Sequence, residues 1–194
     1  MLKQNQPMKL ILAIALVAAI LASSALIGGD VTLAGTGTID RLGGADRYAT
    51  SALIAGEKYS SSSYCIVTRG DVYADGLAAS TLAGALDAPI LLTRPDTLPA
   101  SVSSRIRSLG YPKVIILGGT SAVSTKIENS LKSLVGTNKV QRIGGSDRFD
   151  TAARIARRAK EYYLPSYAFI LNGWASADSL VAGPSAFKNK APIL

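Results

Sequence analysis

Histidine is absent from this 194-residue chain, and cysteine occurs once. Without histidine, a Ser-His-Asp or Cys-His triad and a histidine-ligated zinc site are excluded. Cys65 has no second cysteine in the chain to pair with, so an internal disulfide framework is excluded too. Charged residues (18%) and aromatic residues (6%) are also few. We therefore predict no catalytic residues, no metal and no cofactor.

What the chain does contain is enough apolar material for a core. Hydrophobic residues make up 48% of it, which excludes a disordered or collagen-like protein. The length is typical of one domain or of two small ones. Lys and Arg together number 21 against 13 Asp and Glu, which gives a formal net charge of +8 and a pI near 9.7. This basic balance favours an acidic partner.

The first segment of the chain has the pattern of a secretory signal peptide. Two lysines within the first nine residues precede an apolar run over residues 10–27, and small residues follow it. The pattern is compatible with cleavage after Ala25 or after Ala34. If the run stays uncut, its 18 residues are long enough to span a bilayer as an anchor. We therefore predict a signal peptide or N-terminal anchor over residues 1–34 and a secreted protein.

An internal repeat of about one hundred residues follows this segment. Ile39–Ala55 matches Val140–Ala156 with nine identities in 17 positions, at a displacement of 101. Two further blocks recur in the same order at a displacement of 103, namely Ala74–Leu77 with Ala177–Leu180 and Ala88–Leu91 with Ala191–Leu194. Three matched blocks in one order indicate a tandem duplication. It gives copy one over residues 35–138 and an incomplete copy two over residues 139–194.

Within each copy, short continuous apolar runs alternate with segments of helical length. Such runs are typical of strands buried on both faces of a parallel sheet, and the short connections indicate βαβ units. In copy one, the predicted strands are Tyr64–Thr68, Pro89–Leu92 and Val114–Leu117, and the predicted helices are Asp46–Tyr59, Ala74–Leu86, Pro99–Leu109 and Ser124–Leu134. In copy two, strands are predicted at Lys139–Ile143, at Tyr167–Leu171 and from Pro192, with helices at Asp147–Tyr163 and Ala177–Phe187.

These patterns predict an α/β fold of tandem open, mostly parallel-sheet domains, the second of them truncated. Copy two lacks counterparts of the last strand and the last two helices of copy one. We therefore expect residues 35–138 to fold alone and the C-terminal part to be labile.

The repeated block Arg-x-Gly-Gly-x-Asp-Arg-(Tyr/Phe)-x-Thr lies where a predicted strand ends and a helix begins. Two interpretations stay open. Arginines beside exposed amides at a helix N-terminus can bind phosphate or carboxylate. Alternatively, the Asp caps its helix and an arginine braces a domain contact. The candidate ligand-binding residues are Arg41, Asp46, Arg47 and Thr50 in copy one and Arg142, Asp147, Arg148 and Thr151 in copy two.

Other features have ordinary structural interpretations. The segment Leu117–Thr120 lacks the lysine of a nucleotide P-loop and predicts a tight turn. Asp75 and its counterpart Asp178 have no neighbouring carboxylate in sequence and are predicted to start helices. Aromatic residues beside predicted strands could stack on sugars but are more typical of a core, and these are Trp174, Tyr162, Tyr163 and Phe169. Cys65 is predicted to be a small buried hydrophobe.

Four blocks together resemble the cell wall binding repeat 2 family, namely Arg41–Thr50, Ala74–Ala79, Ala88–Thr93 and Val114–Gly119. The resemblance covers residues 35–194 and implies a module that attaches Gram-positive surface proteins non-covalently to anionic wall polymers. It also implies three tandem copies, arranged as a triangle of Toprim-like α/β domains. It assigns Pro89, Ile90, Leu91 and Leu92, and in copy two Pro192–Leu194, to a segment associated with anchoring. This chain departs from that pattern because it holds one and a half copies.

The resemblance and the charge together favour a binding module of the cell surface. The expected partners are an anionic cell wall glycopolymer and other repeat copies of the full-length protein. No nucleic acid is expected as a partner, and the membrane is expected to be contacted only through the N-terminal segment. Two alternatives stay open: a wall hydrolase or related enzyme whose catalytic part is absent from this chain, and a structural surface-layer scaffold.

Overall fold

The computed structural model describes residues 41–194. The signal peptide or anchor predicted for residues 1–34 therefore lies outside the described residues. Within residues 41–194, no helix is both long enough and apolar enough to cross a membrane.

Four parallel strands form one sheet, in the order β2-β1-β3-β4. The strands are β1 (Tyr64–Arg69), β2 (Ile90–Thr93), β3 (Lys113–Leu117) and β4 (Val140–Ile143). The α-helices of the described part are α1 (Arg47–Lys58), α2 (Ala74–Leu86), α3 (Ala100–Ser108), α4 (Thr125–Val135), α5 (Arg148–Ala159) and α6 (Ser176–Asn189). A short 3-10 helix, Thr137–Lys139, precedes β4. The predicted α/β class with a parallel sheet is confirmed.

Helices cover both faces of the sheet because the strands are apolar on both faces. In β1, Cys65 and Val67 pack in the cluster formed with α1, α3 and α4, whereas Ile66 packs in the cluster formed with α2 and α5. Cys65 is fully buried, and burial raises the pKa of its thiol to about 12. Its predicted role as a small buried hydrophobe is confirmed, and its thiol is not available for chemistry.

The first strand of copy two completes the sheet of copy one. β4 pairs with β3 from Val140 opposite Val114 to Ile143 opposite Leu117. Ile143 is 7% exposed and Ile155 of α5 is 1% exposed, and both pack in the cluster formed around α2. The sheet therefore continues across the predicted boundary between residues 138 and 139. The division into copies 35–138 and 139–194 stays a prediction about the repeats.

The later strands predicted for copy two pair in parallel, as expected, but they are too short to form regular strands. The segments Tyr167–Leu171 and Pro192–Leu194 share a single parallel bridge, between Phe169 and Ile193. Two short segments have too few backbone hydrogen bonds to form a regular sheet without a third strand beside them. This region is instead held by α6, which packs along α2, and by the Thr81 hydroxyl, which donates to the Ala191 carbonyl at 2.7 Å. Helix α5 ends at Ala159, before the predicted end at Tyr163.

Candidate functional site

The repeated block forms a closed set of hydrogen bonds at the start of α1. The Asp46 carboxylate accepts from the Ala49 N–H at 2.8 Å. The Thr50 hydroxyl donates to the Asp46 carbonyl at 2.9 Å and accepts from the Gly44 N–H at 3.0 Å. The same three contacts recur at the start of α5, at 2.8, 2.8 and 3.0 Å, among Asp147, Asp150, Thr151 and Gly145. The two aspartates are therefore N-caps, and several of the amides expected to bind an anion are already occupied.

Removing one of these caps is expected to destabilise the protein. Asp147→Ala leaves the Asp150 N–H without its acceptor and should lower the free energy of unfolding by about 1 kcal/mol. Chemical denaturation followed by circular dichroism measures this. Asp147→Asn keeps a side-chain oxygen at the cap, so this control should unfold close to the wild type. If the alanine variant also unfolds at the wild-type denaturant concentration, the cap contributes nothing measurable.

The second arginine of each block connects the start of its helix to the loop after the next β-segment. Arg47 Nη1 donates to the Gly70 carbonyl, which follows β1, at 2.8 Å. Arg148 Nη1 donates to the equivalent carbonyl of Gly173, also at 2.8 Å. Both arginines therefore brace the fold. In each, the rest of the guanidinium is left for other contacts.

The first arginine of the copy-two block makes its hydrogen bonds within the fold. Arg142 donates through Nε and Nη2 to Glu128 Oε2, at 3.0 and 2.9 Å, and through Nη1 to the carbonyls of Gly118 and Gly119, at 2.9 and 3.1 Å. Hydrogen bonds from Lys132 and then from Arg142 hold the pKa of Glu128 below its usual value. These contacts favour a bracing role for Arg142. Its counterpart Arg41 is exposed at the beginning of the described part.

The segment Pro89–Leu92 lies at one edge of the sheet and contributes mainly to the core. Pro89 and Leu91 are buried, and Ile90 and Leu92 are half-buried. The Leu92 N–H, on the outer side of this edge strand, donates to the Ser51 hydroxyl at 3.1 Å. Little of the segment is therefore open to a polymer, and its ligand-binding role stays a prediction.

A cleft of about 300 Å³ lies at the carboxyl ends of β1, β3 and β4. The connections after β1 and β3 run to opposite sides of the sheet, so this is its topological switch point, where open α/β sheets usually bind ligands. Copy one supplies Arg69, Asp75 and Gly119 to the cleft walls, and copy two supplies Ser146 and Arg148. The cleft therefore lies between consecutive copies, and the sequence had not indicated this.

Gly118 lies directly behind the cleft residue Asp75. Its φ of +100° lies in the left-handed region, and a Cβ there would lie 2.6 Å from a carboxylate oxygen of Asp75. Any other residue would strain the backbone and push this carboxylate away. The tight turn predicted for Leu117–Thr120 is thereby confirmed, with Gly118 as its essential residue.

The charges of the cleft are only partly neutralised by each other. Arg69 donates to Asp71 through Nε and Nη2, at 2.8 and 2.6 Å, and this pairing holds the pKa of Asp71 at about 2. Asp75 is half-buried and has no hydrogen-bond partner among residues 41–194. Burial raises the pKa of Asp75, while the charges of Arg69 and Arg148 act in the opposite direction. In residues 41–194, no group of three or more acidic or cysteine side chains is placed to hold a metal ion.

The core interpretation of Trp174 is wrong, because the residue is 69% exposed. The Arg148 guanidinium lies 3.9 Å from its ring centroid. Tyr162 and Tyr163 are each 40% exposed, so they are not core residues either, and Phe169 is half-buried. The repeat pattern in the sequence could have indicated a loop position for Trp174, because the displacement of 103 aligns it with Asp71 in the loop after β1.

Comparison with known proteins places the chain among wall-binding domains. The model of a family described as cell wall binding domain 2 (CWB2) matches residues 41–128 and 142–194. The N-acetylmuramoyl-L-alanine amidase LytC of Bacillus subtilis is 42% identical over 154 residues, which are 79% of this chain and 30% of that protein. The amidase enhancer of the same organism is 32% identical over 155 residues, which are 80% of this chain and 21% of that protein.

Solved structures of similar sequence have the same fold. Cwp6 from Clostridium difficile superposes with a TM-score of 0.74 at 33% identity, over 83% of this chain and 27% of that one. Cwp8 from the same organism superposes with a TM-score of 0.70 at 33% identity, over 79% of this chain and 26% of that one. The chain thus spans less than a third of the length of each of these relatives.

Proposed function

Because this chain belongs to the cell wall binding domain 2 family, we propose that it attaches an exported protein non-covalently to the Gram-positive cell wall through an anionic wall glycopolymer. The observation that carries the proposal beyond the family is the cleft between consecutive copies. It lies at the switch point of the sheet, and two arginines line it. The net charge of +8 adds a long-range attraction for a polyanion.

Among the candidate residues, the contacts support Arg148 most strongly as a polymer ligand. It lines the cleft and uses only Nη1 in the brace to Gly173. Asp147 and Thr151 border the same cleft but are engaged in capping. Arg47 occupies the equivalent place in copy one, so a further copy packed against it would create a second cleft of the same kind. Weak sites repeated along one protein would then act together through effective concentration.

The organisation of the full-length protein is part of the proposal. We propose that residues 1–34 direct export, that residues 35–138 and 139–194 are successive repeats, and that further copies belong to the assembled surface protein. The Toprim-like topology and triangular arrangement implied by the family resemblance are proposed in the same sense. We assign binding and no catalysis to the chain itself, since the amidase activity named for a relative belongs to that longer protein.

Co-sedimentation with purified walls tests the function. The protein should pellet with intact walls and stay in the supernatant once the anionic polymer has been extracted. Raising the salt from about 0.1 M to 1 M shortens the Debye length from about 10 Å to 3 Å and should weaken the pelleting. Equal pelleting on extracted walls would rule out the polymer as ligand. Pelleting without walls would favour a scaffold, and release of soluble wall fragments would favour an enzyme.

A further inference from the structure

Trp174 stands on the surface beside the cleft and is held in place from several sides. The Arg148 guanidinium packs on the ring, and Phe149 meets its edge with 6.2 Å between ring centroids. The backbone N–H of Trp174 donates to the Asn172 side-chain oxygen at 3.0 Å, and its backbone carbonyl accepts from the Tyr73 hydroxyl at 3.4 Å. The contacts with Arg148 and Phe149 restrict the indole before any ligand arrives, which lowers the side-chain entropy cost of packing a ligand on it.

The exposure of Trp174 follows from its position in the loop. Its counterpart in copy one, Asp71, is also exposed in the loop after β1. Phe149 is different, because it is exposed although its counterpart in copy one, Tyr48, is buried. Trp174 therefore occupies a surface position in the repeat pattern. Ordered, exposed tryptophan rings are typical of contact surfaces.

Arg148 joins this ring to the polar cleft. One side of its guanidinium lies against Trp174, and the same residue lines the cleft together with Asp75. Asp75 has no hydrogen-bond partner within residues 41–194, so its half-buried carboxylate is available to accept from a ligand. A ligand that suits both residues carries an anionic group for Arg148 and hydroxyl donors for Asp75.

We propose that Trp174, Arg148 and Asp75 form one subsite for an acidic sugar unit, and this proposal rests on the proposed function. The apolar face of the sugar ring packs on the part of the Trp174 indole that Arg148 leaves exposed on the cleft side. Its phosphate or carboxylate group binds the Arg148 guanidinium, and one of its hydroxyl groups donates to Asp75. An aromatic surface beside a few convergent polar groups is the usual composition of a site that orients a small ligand. The site therefore distinguishes a charged glycan from a polyanion without sugar rings.

Intrinsic fluorescence tests the proposal directly, because Trp174 is the only tryptophan of the chain. The probes are teichuronic acid, whose sugars carry carboxylates, inorganic polyphosphate, which has no sugar, and dextran, which has no charge. Teichuronic acid should change the Trp174 emission in a saturable manner. Dextran should leave it unchanged, and polyphosphate should produce a smaller change at equal occupancy.

Variants separate the parts of the subsite. Because Trp174→Ala has no tryptophan, its binding is measured by isothermal titration calorimetry, as is that of the other variants. Trp174→Ala should weaken teichuronic acid binding by about tenfold, and its effect on polyphosphate should be smaller. Arg148→Gln should weaken the binding of teichuronic acid and of polyphosphate. Asp75→Asn should weaken the binding of teichuronic acid. Trp174→Phe should restore most of the binding. The control Tyr111→Asn removes another exposed aromatic side chain, just before β3 at the amino end of the strands, and Arg107→Gln removes an exposed arginine of α3. Circular dichroism confirms that each variant is folded.

The outcomes distinguish this proposal from the broader one. If walls bind in a polymer-dependent manner, but teichuronic acid leaves the wild-type Trp174 emission unchanged and binds folded Trp174→Ala as tightly as the wild type, the subsite is wrong and the wall-binding function stands. If Trp174→Ala weakens the binding of polyphosphate and of teichuronic acid by the same factor, the site does not recognise a sugar ring. If walls do not bind at all, the proposed function fails, and this subsite fails with it.

Discussion

Replacing Gly84 by valine is expected to detach α6 from α2 and to expose the C-terminal part of the chain to protease. The two helices cross so closely that a Cβ at Gly84 would overlap the carbonyl group of Phe187. This obstacle is a backbone atom, so no side-chain rotation relieves it. Overpacking of this kind costs about 1–3 kcal/mol, and the β-branched residue adds a smaller cost to the helix.

Limited trypsin digestion measures the detachment, since Lys188 lies in the last turn of α6 and Lys190 directly follows it. The Gly84→Val variant should be cut at these residues much faster than the wild type, and its thermal unfolding should become broader. Gly76→Ala is the matched control in the same helix, because the nearest atom to its Cβ would be the Thr68 methyl at 3.4 Å. Equal protease resistance of Gly84→Val and the wild type would mean that the contact between the helices is not needed.

Removing everything after residue 138 is expected to abolish the cooperative fold of copy one. The shortened chain lacks β4 and α5, so the edge of β3 and one face of α2 become exposed. Ile143 and Ile155 alone contribute about 3–6 kcal/mol of burial, which is comparable with the 5–15 kcal/mol that stabilises a typical domain. The structure thus argues against the expectation that residues 35–138 fold alone.

Thermal unfolding of two shortened chains tests this. Residues 35–163 retain β4 and α5 and should unfold cooperatively. Residues 35–138 should show weak helical signal and no cooperative transition. If both chains melt at the same temperature, β4 is dispensable, and the repeat boundary predicted from the sequence is also the boundary of the folding unit.

The local sequence pattern was enough to predict the strands and helices of copy one. The continuous apolar runs predicted β1, β2 and β3 because a strand covered on both faces needs apolar side chains at every position. Tyr48, Ala52, Ala55 and Tyr59 recur at helical spacing in the sequence, and all four are buried on one side of α1 and its C-cap. Capping at Asp46 and Asp147 was one of two interpretations offered for the repeated block. A cap depends on residues three positions apart, so such features can be read without knowing the fold.

The neighbours of each element were decided only in the folded molecule. The pattern of Val140–Ile143 predicts a strand, but it carries no information on which sheet takes that strand. Joining β4 to β3 created the brace of Arg142 and the cleft between copies, and it brought Arg148 close to Asp75. The residues of that cleft are separated by several helices and strands along the chain, so no spacing rule connects them. Trp174 was misassigned for the same reason, because whether an aromatic ring is buried depends on which distant segments pack over it.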